Sequence, residues 1–94
     1  MYKLPAVDLL EQSHTFPGPY TFKVIGKQDN GFLARILGAV REALQLDADP
    51  PFRVREAVGG RHIAITLVPH VETAQNVLAV YGRLQTMSGL MFLW

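Results

Sequence analysis

His14, His62 and His70, the hydroxyls of Ser13, Thr66 and Ser88, and eight carboxylates are the groups with which this chain would have to do catalysis or bind metal. Their spacing suits neither task. The histidines fall on an amino-terminal segment, a strand and the start of a helix, without the short ligand spacing of a zinc site. The hydroxyls lack the flanking pattern of a nucleophile elbow. Asp8, Glu11, Asp29, Glu42, Asp47, Asp49, Glu56 and Glu72 read as caps and solvated surface, not as a paired acid and base. The chain has no cysteine, which removes thiolate chemistry and disulfides. The expectation is a protein that is not an enzyme and carries no metal or cofactor.

The basic side chains say more. In the stretch FPGPYTFKVIG, residues 16–26, Tyr20, Phe22 and Val24 alternate with Thr21, Lys23 and Ile25. This is the period of a strand, so Lys23 opposes the apolar set. In a second strand Phe52, Val54 and Glu56 alternate with Arg53 and Arg55, and in a third Ile63, Ile65 and Leu67 alternate with His62, Ala64 and Thr66. Gly59-Gly60 joins these two as a hairpin. With the apolar sets on one core, Lys23, Arg53, Arg55 and His62 share the opposite face and offer it to a partner.

Other elements must place those strands. Phe32, Leu33, Ile36, Leu37, Val40 and Leu44 recur at helical spacing, with Asp29 or Asn30 as the cap. Asp-Ala-Asp-Pro-Pro ends this helix near residue 46. Val71, Ala74, Val77, Leu78, Tyr81 and Leu84 define a second helix, and residues 87–94 read as an apolar last strand. Residues 1–18 read as an arm, in which residues 7–12 form a turn or two of helix before Pro17, Gly18 and Pro19 stop it. Residues 19–94 form one α+β domain of element order βαββαβ. Its expected form is a ferredoxin-like split βαβ sandwich: a four-stranded antiparallel sheet of order 4-1-3-2, both helices on one face and the other face open.

A chain of 94 residues, 49% hydrophobic and 18% charged, fits one folded domain. Its net charge of +1 gives no global field for nucleic acid or an anionic membrane. No apolar run reaches the length of a membrane span, and no secretory signal opens the chain, so a cytoplasmic protein without a membrane partner is expected. The apolar last strand, with Leu90, Phe92 and Trp94, calls for a cover. Leu4, Val7, Leu9 and Leu10 of the arm would supply one, and the same strand of a second subunit in a homodimer would supply another.

Leu9-Leu10-Glu11, then Phe16-Pro17, Pro19 to Val24 and Gly26, resemble the signature of the YbeD-like family of small bacterial proteins. Four extra residues, Gln-Ser-His-Thr, separate the two parts here. The resemblance implies a ferredoxin-like fold similar to ACT-type regulatory domains, and no established activity. Residues 24–36, Val-Ile-Gly-Lys-Gln-Asp-Asn-Gly-Phe-Leu-Ala-Arg-Ile, are also similar to the strand-loop-helix of ACT domains, with Asn30 in place of the usual proline. That likeness implies a small anion, such as an amino-acid carboxylate, held near Gly26, Asp29, Asn30 and Gly31 at the positive end of a helix. Asp29, as a cap, would compete with it.

Two modules of similar topology are disfavoured. An RNA-recognition module needs aromatics on the third strand, where this chain has Ala64 and Thr66, so no nucleic acid is expected. An acylphosphatase loop needs an arginine that residues 26–30 do not supply. The preferred reading is a non-catalytic small regulatory or protein-interaction domain, using its open sheet face and sheet edge on a protein partner. The alternative is an ACT-like metabolite sensor.

Overall fold

The computed structural model describes residues 5–57 and 59–94. Nine elements follow one another: α1 (Val7–Ser13), β1 (Gly18–Pro19), β2 (Phe22–Lys27), α2 (Phe32–Leu44), β3 (Phe52–Glu56), β4 (His62–Leu67), β5 (His70–Val71), α3 (Ala74–Leu84) and β6 (Leu90–Leu93). The architecture is mixed α+β with antiparallel sheets. One sheet has four strands in the order β3-β4-β2-β6, and a second is a two-stranded ribbon of β1 and β5.

The alternation in β2 and β4 places this sheet. Phe22, Val24, Ile63, Ile65 and Leu67 are buried, and their register pairs Phe22 with Leu67 and Val24 with Ile65 on one face. Against that face lie Phe32, Ile36, Leu37 and Val40 of α2 and Ala74, Val77, Val80, Tyr81 and Leu84 of α3, one apolar stripe from each helix. Thr73 starts α3 by accepting the Asn76 N–H on its hydroxyl at 3.2 Å. Arg41 to Asp49 and Arg83 to Glu42, the latter at 3.2 Å, are ion pairs on the helical side.

Several boundaries differ from expectation, each for a local reason. The strand expected from Tyr20 starts at Phe22, because the Tyr20 N–H donates to the Pro69 carbonyl and Gly18–Pro19 pairs with His70–Val71. His70 and Val71, expected at a helix start, are strand. The first long helix stops at Leu44, since Gln45 turns left-handed at φ 54°. The hairpin forms as expected with Gly59 and Gly60 at φ 90° and 70°; Val58 beside them lies outside the described residues.

Among the described residues, the arm packs on the helical layer. α1 packs on α3, and Leu10, only 3% exposed, joins the common core with Val7 and Phe16 against it. The His14 ring lies tilted against Tyr20, their centroids 4.8 Å apart, and the Tyr20 and Tyr81 hydroxyls share a buried hydrogen bond of 3.1 Å. Leu9 stays exposed, and Leu4 lies outside the described residues. α1 therefore stabilises the helical layer, and the cover expected from it over β6 is not its role.

Candidate recognition surface

The surface is built by strand register. In antiparallel pairs, residues directly opposite point to the same side. Lys23 faces Thr66, and Thr66 faces Arg53; Ile25 faces Ala64, and Ala64 faces Arg55; Lys27 faces His62. The sheet face away from the helices thus brings together Lys23, Arg53, Arg55 and His62, the four residues expected there, and adds Lys27.

The fourth strand completes the rows. Lys23 and Trp94 exchange two backbone hydrogen bonds, of 2.7 and 2.9 Å, and Ile25 faces Phe92. One row reads Trp94, Lys23, Thr66, Arg53, and the next Phe92, Ile25, Ala64, Arg55. With neighbouring strands about 4.8 Å apart, each row spans roughly 14 Å, aromatic at one end and cationic at the other. A depression of about 430 Å³ lies along it, lined by Lys23, Ile25, Arg53, Arg55, Thr66 and Trp94 among others.

Leu90, Phe92 and Trp94 were expected to take a cover from the arm or from a second subunit; the correction is that Phe92 and Trp94 lie on the open face and Leu90 does not. Gly26 pairs with Leu90 but Ile25 with Phe92, which leaves Met91 as an extra residue. This irregularity flips the alternation. Leu93 is buried beside Val24, while Phe92 and Trp94, 55% and 52% exposed, stand on the open face. A second correction concerns Phe52 and Val54, which point to the helical side yet are each 40% exposed, because β3 lies at the sheet edge beyond the helices.

Charge is segregated across the sheet. The eight acidic residues lie on α1, on α2, in loops or, for Glu56, on the helical side of β3 facing Ile63. Glu56 accepts a hydrogen bond from Gln28 Nε2 at 2.8 Å. Arg35 donates to the carbonyls of Asn30 and Ser88, each at 3.0 Å, so this cation is spent on tying two loops together. Among the described residues, Lys23, Lys27, Arg53 and Arg55 form no ion pair. A chain of net charge +1 thereby carries a locally unmixed positive face.

The loop of the alternative reading is arranged differently from expectation. Gly31, at φ 65°, caps α2, and neither Asp29 nor Asn30 makes a side-chain cap bond. Asp29 contributes its carbonyl to the Phe32 N–H instead, at 3.0 Å, and Asn30 is left-handed at φ 49°. Gly26 is not held open for a ligand: a Cβ there would come within 2.2 Å of the Phe32 ring. Because Gly31 has a left-handed backbone, Gly31→Ala costs about 1–2 kcal/mol in urea unfolding although no atom crowds the site. A neutral result would mean that the loop relaxes.

Among the described residues no group of three His, Asp or Glu side chains is placed to hold a metal ion, and no helix is long and apolar enough to cross a membrane. His14, His62 and His70 lie on α1's carboxyl end, β4 and β5. What remains is a small α+β domain whose helices cover one side of its main sheet and whose other side is basic, with aromatics at one margin. The chain belongs to a family described as proteins of unknown function, DUF493, whose match covers residues 11–93. No curated protein is significantly similar to it.

Proposed function

We propose that this protein is a non-catalytic interaction domain, regulatory in role, which recognises a protein partner through the open face and edge of its four-stranded sheet. The observation that carries the reading is the pair of neighbouring rows that hold Lys23, Arg53 and Arg55, cations without an ion pair among the described residues, on a face to which no described Asp or Glu side chain of the sheet points. Setting aside the ribbon strands β1 and β5, the main sheet read from its other edge is β6-β2-β4-β3. In the numbering of the four longer strands this is 4-1-3-2, and we read it as the ferredoxin-like split βαβ arrangement. That reading supports the likeness to YbeD-like and ACT-type domains, several of whose expected motif positions, Phe22, Val24 and Gly26, form the buried side of β2.

The test is affinity capture from the cells that make the protein, with wild type and Lys23→Glu compared. Lys23 is exposed, so the substitution changes folding stability by no more than about 0.5 kcal/mol. The expected result is an intact fold and loss of the captured partner. Equal capture by both proteins would refute the reading.

The metabolite-sensing alternative is favoured by one feature, the absence of a side-chain cap at the start of α2. It is weakened by Phe32, which fills the space over Gly26. Melting curves with small amino and carboxylic acids distinguish it: a rise in melting temperature that Gly31→Ala abolishes supports sensing, and none at millimolar ligand removes it.

A further inference from the structure

The two edges of the main sheet are unlike. β6 is four residues long and irregular in its pairing with β2, a poor template for another strand. β3 pairs regularly with β4 over all five residues, and every one of those five is exposed. Its hydrogen-bonding phase follows from the bonds at its ends. The Ala57 N–H donates to the His62 carbonyl at 3.0 Å, and the Val68 N–H to the Pro51 carbonyl at 2.9 Å. In an antiparallel ladder bonded pairs recur every second residue, so Arg53 and Arg55 turn their backbone groups toward β4. Phe52, Val54 and Glu56 turn theirs outward, away from the sheet.

The side chains flanking this free edge differ from face to face. On the open face stand Arg53 and Arg55. On the helical side, exposed Val54 borders a slot of about 320 Å³ lined also by Phe32, Leu33 and Ile63, with Glu56 already bonded to Gln28. Resting on the interaction reading above, we infer that β3 accepts an extended acidic segment of a partner protein as a fifth strand. The partner's alternate carboxylates lie over Arg53 and Arg55, and its intervening apolar side chains enter the slot beside Val54. Successive side chains of a strand point to opposite faces, so a sequence alternating acidic and apolar residues fits both sides at once. A second copy of this chain does not fit, because two-fold antiparallel pairing of β3 with itself brings arginines against arginines.

The probe is a fluorescein-labelled eight-residue peptide alternating valine with glutamate, titrated into the intact protein and read by anisotropy. Saturable, salt-sensitive binding is expected, and replacing each glutamate of the peptide by lysine should abolish it. Val54→Pro removes an outward N–H that β4 does not use, and should weaken binding at least about tenfold. The double variant Arg53→Glu, Arg55→Glu should do the same and serves where Val54→Pro fails to fold. No binding by wild type, or undiminished binding by either folded variant, overturns the inference. So does displacement of the peptide by single-stranded oligothymidine that binds more tightly, which would make this a nucleic-acid surface. If the peptide fails while Lys23-dependent capture of a partner persists, the open-face reading stands and only the β3 docking mode falls.

Discussion

Replacing Phe32 by alanine lowers the stability of this protein by about 3–5 kcal/mol, the loss of a fully buried ring and the cavity that it leaves. Phe32 is 2% exposed and lies directly over Gly26, where a Cβ would come within 2.2, 2.5 and 2.7 Å of three ring atoms. A glycine in the interior of a strand is otherwise a liability, so its presence in β2 reflects this close approach. Gly26→Ala therefore costs roughly 1–3 kcal/mol by overpacking. The two effects are coupled. With Phe32 already alanine, adding Gly26→Ala should change stability by less than about 0.5 kcal/mol, since the clash has gone. Urea unfolding of the two single variants and the double variant measures this, and an undiminished cost of Gly26→Ala without the ring would contradict the packing described.

High pH provides the second large effect. Burial pushes the Tyr81 hydroxyl well above the ordinary phenol range, and its hydrogen bond to Tyr20 and the charge on an ionised Tyr20 push it further. The folded pKa is raised above the unfolded one, so this group's contribution is complete below about pH 10. It is lost as pH rises from there toward the folded value, at about 1.4 kcal/mol per pH unit while only the unfolded chain is ionised. Tyr81→Phe should cost about 1 kcal/mol at neutral pH, because Tyr20 loses its buried partner. It should also flatten the decline above pH 10 relative to wild type. Parallel declines of the two proteins, followed by denaturant unfolding at a series of pH values, would contradict this assignment.

The parity of Lys23 was legible because β2, β3 and β4 alternate without interruption, and a period of two assigns each side chain to a face. The same argument placed Arg53, Arg55 and His62 beside it. It failed where the period breaks. The extra residue Met91 shifts the phase within β6, so Phe92 and Trp94 emerge on the open face although Leu90 faces inward. One clue was available: with Leu93 assigned to the core, Phe92 and Trp94 follow on the other side.

Other features carry no periodicity to read. The ribbon of β1 and β5 consists of two-residue strands defined by a tertiary pairing, Gly18 with Val71 and Pro19 with His70. The exposure of Phe52 and Val54 depends on how far the helices extend over the sheet, a matter of packing and not of local pattern. At the loop before α2, asparagine and aspartate are good caps, yet the left-handed Asn30 and Gly31 bring the chain into the helix by backbone geometry alone. For α1, the apolar residues were visible, but their place on α3, with Leu10 in the common core, is a tertiary contact that no local pattern signals.

On the proposed reading, a protein partner sits on the basic open face and its β3 margin. Backbone amide shifts of the ¹⁵N-labelled protein, recorded while the partner retained by affinity capture is added, test it most directly. The largest shifts are expected on Lys23, Arg53, Val54, Arg55 and Thr66, with α2 and α3 little changed. Shifts concentrated instead around Arg35, Arg41 and Arg83 on the helical side, with the open face silent, would contradict it.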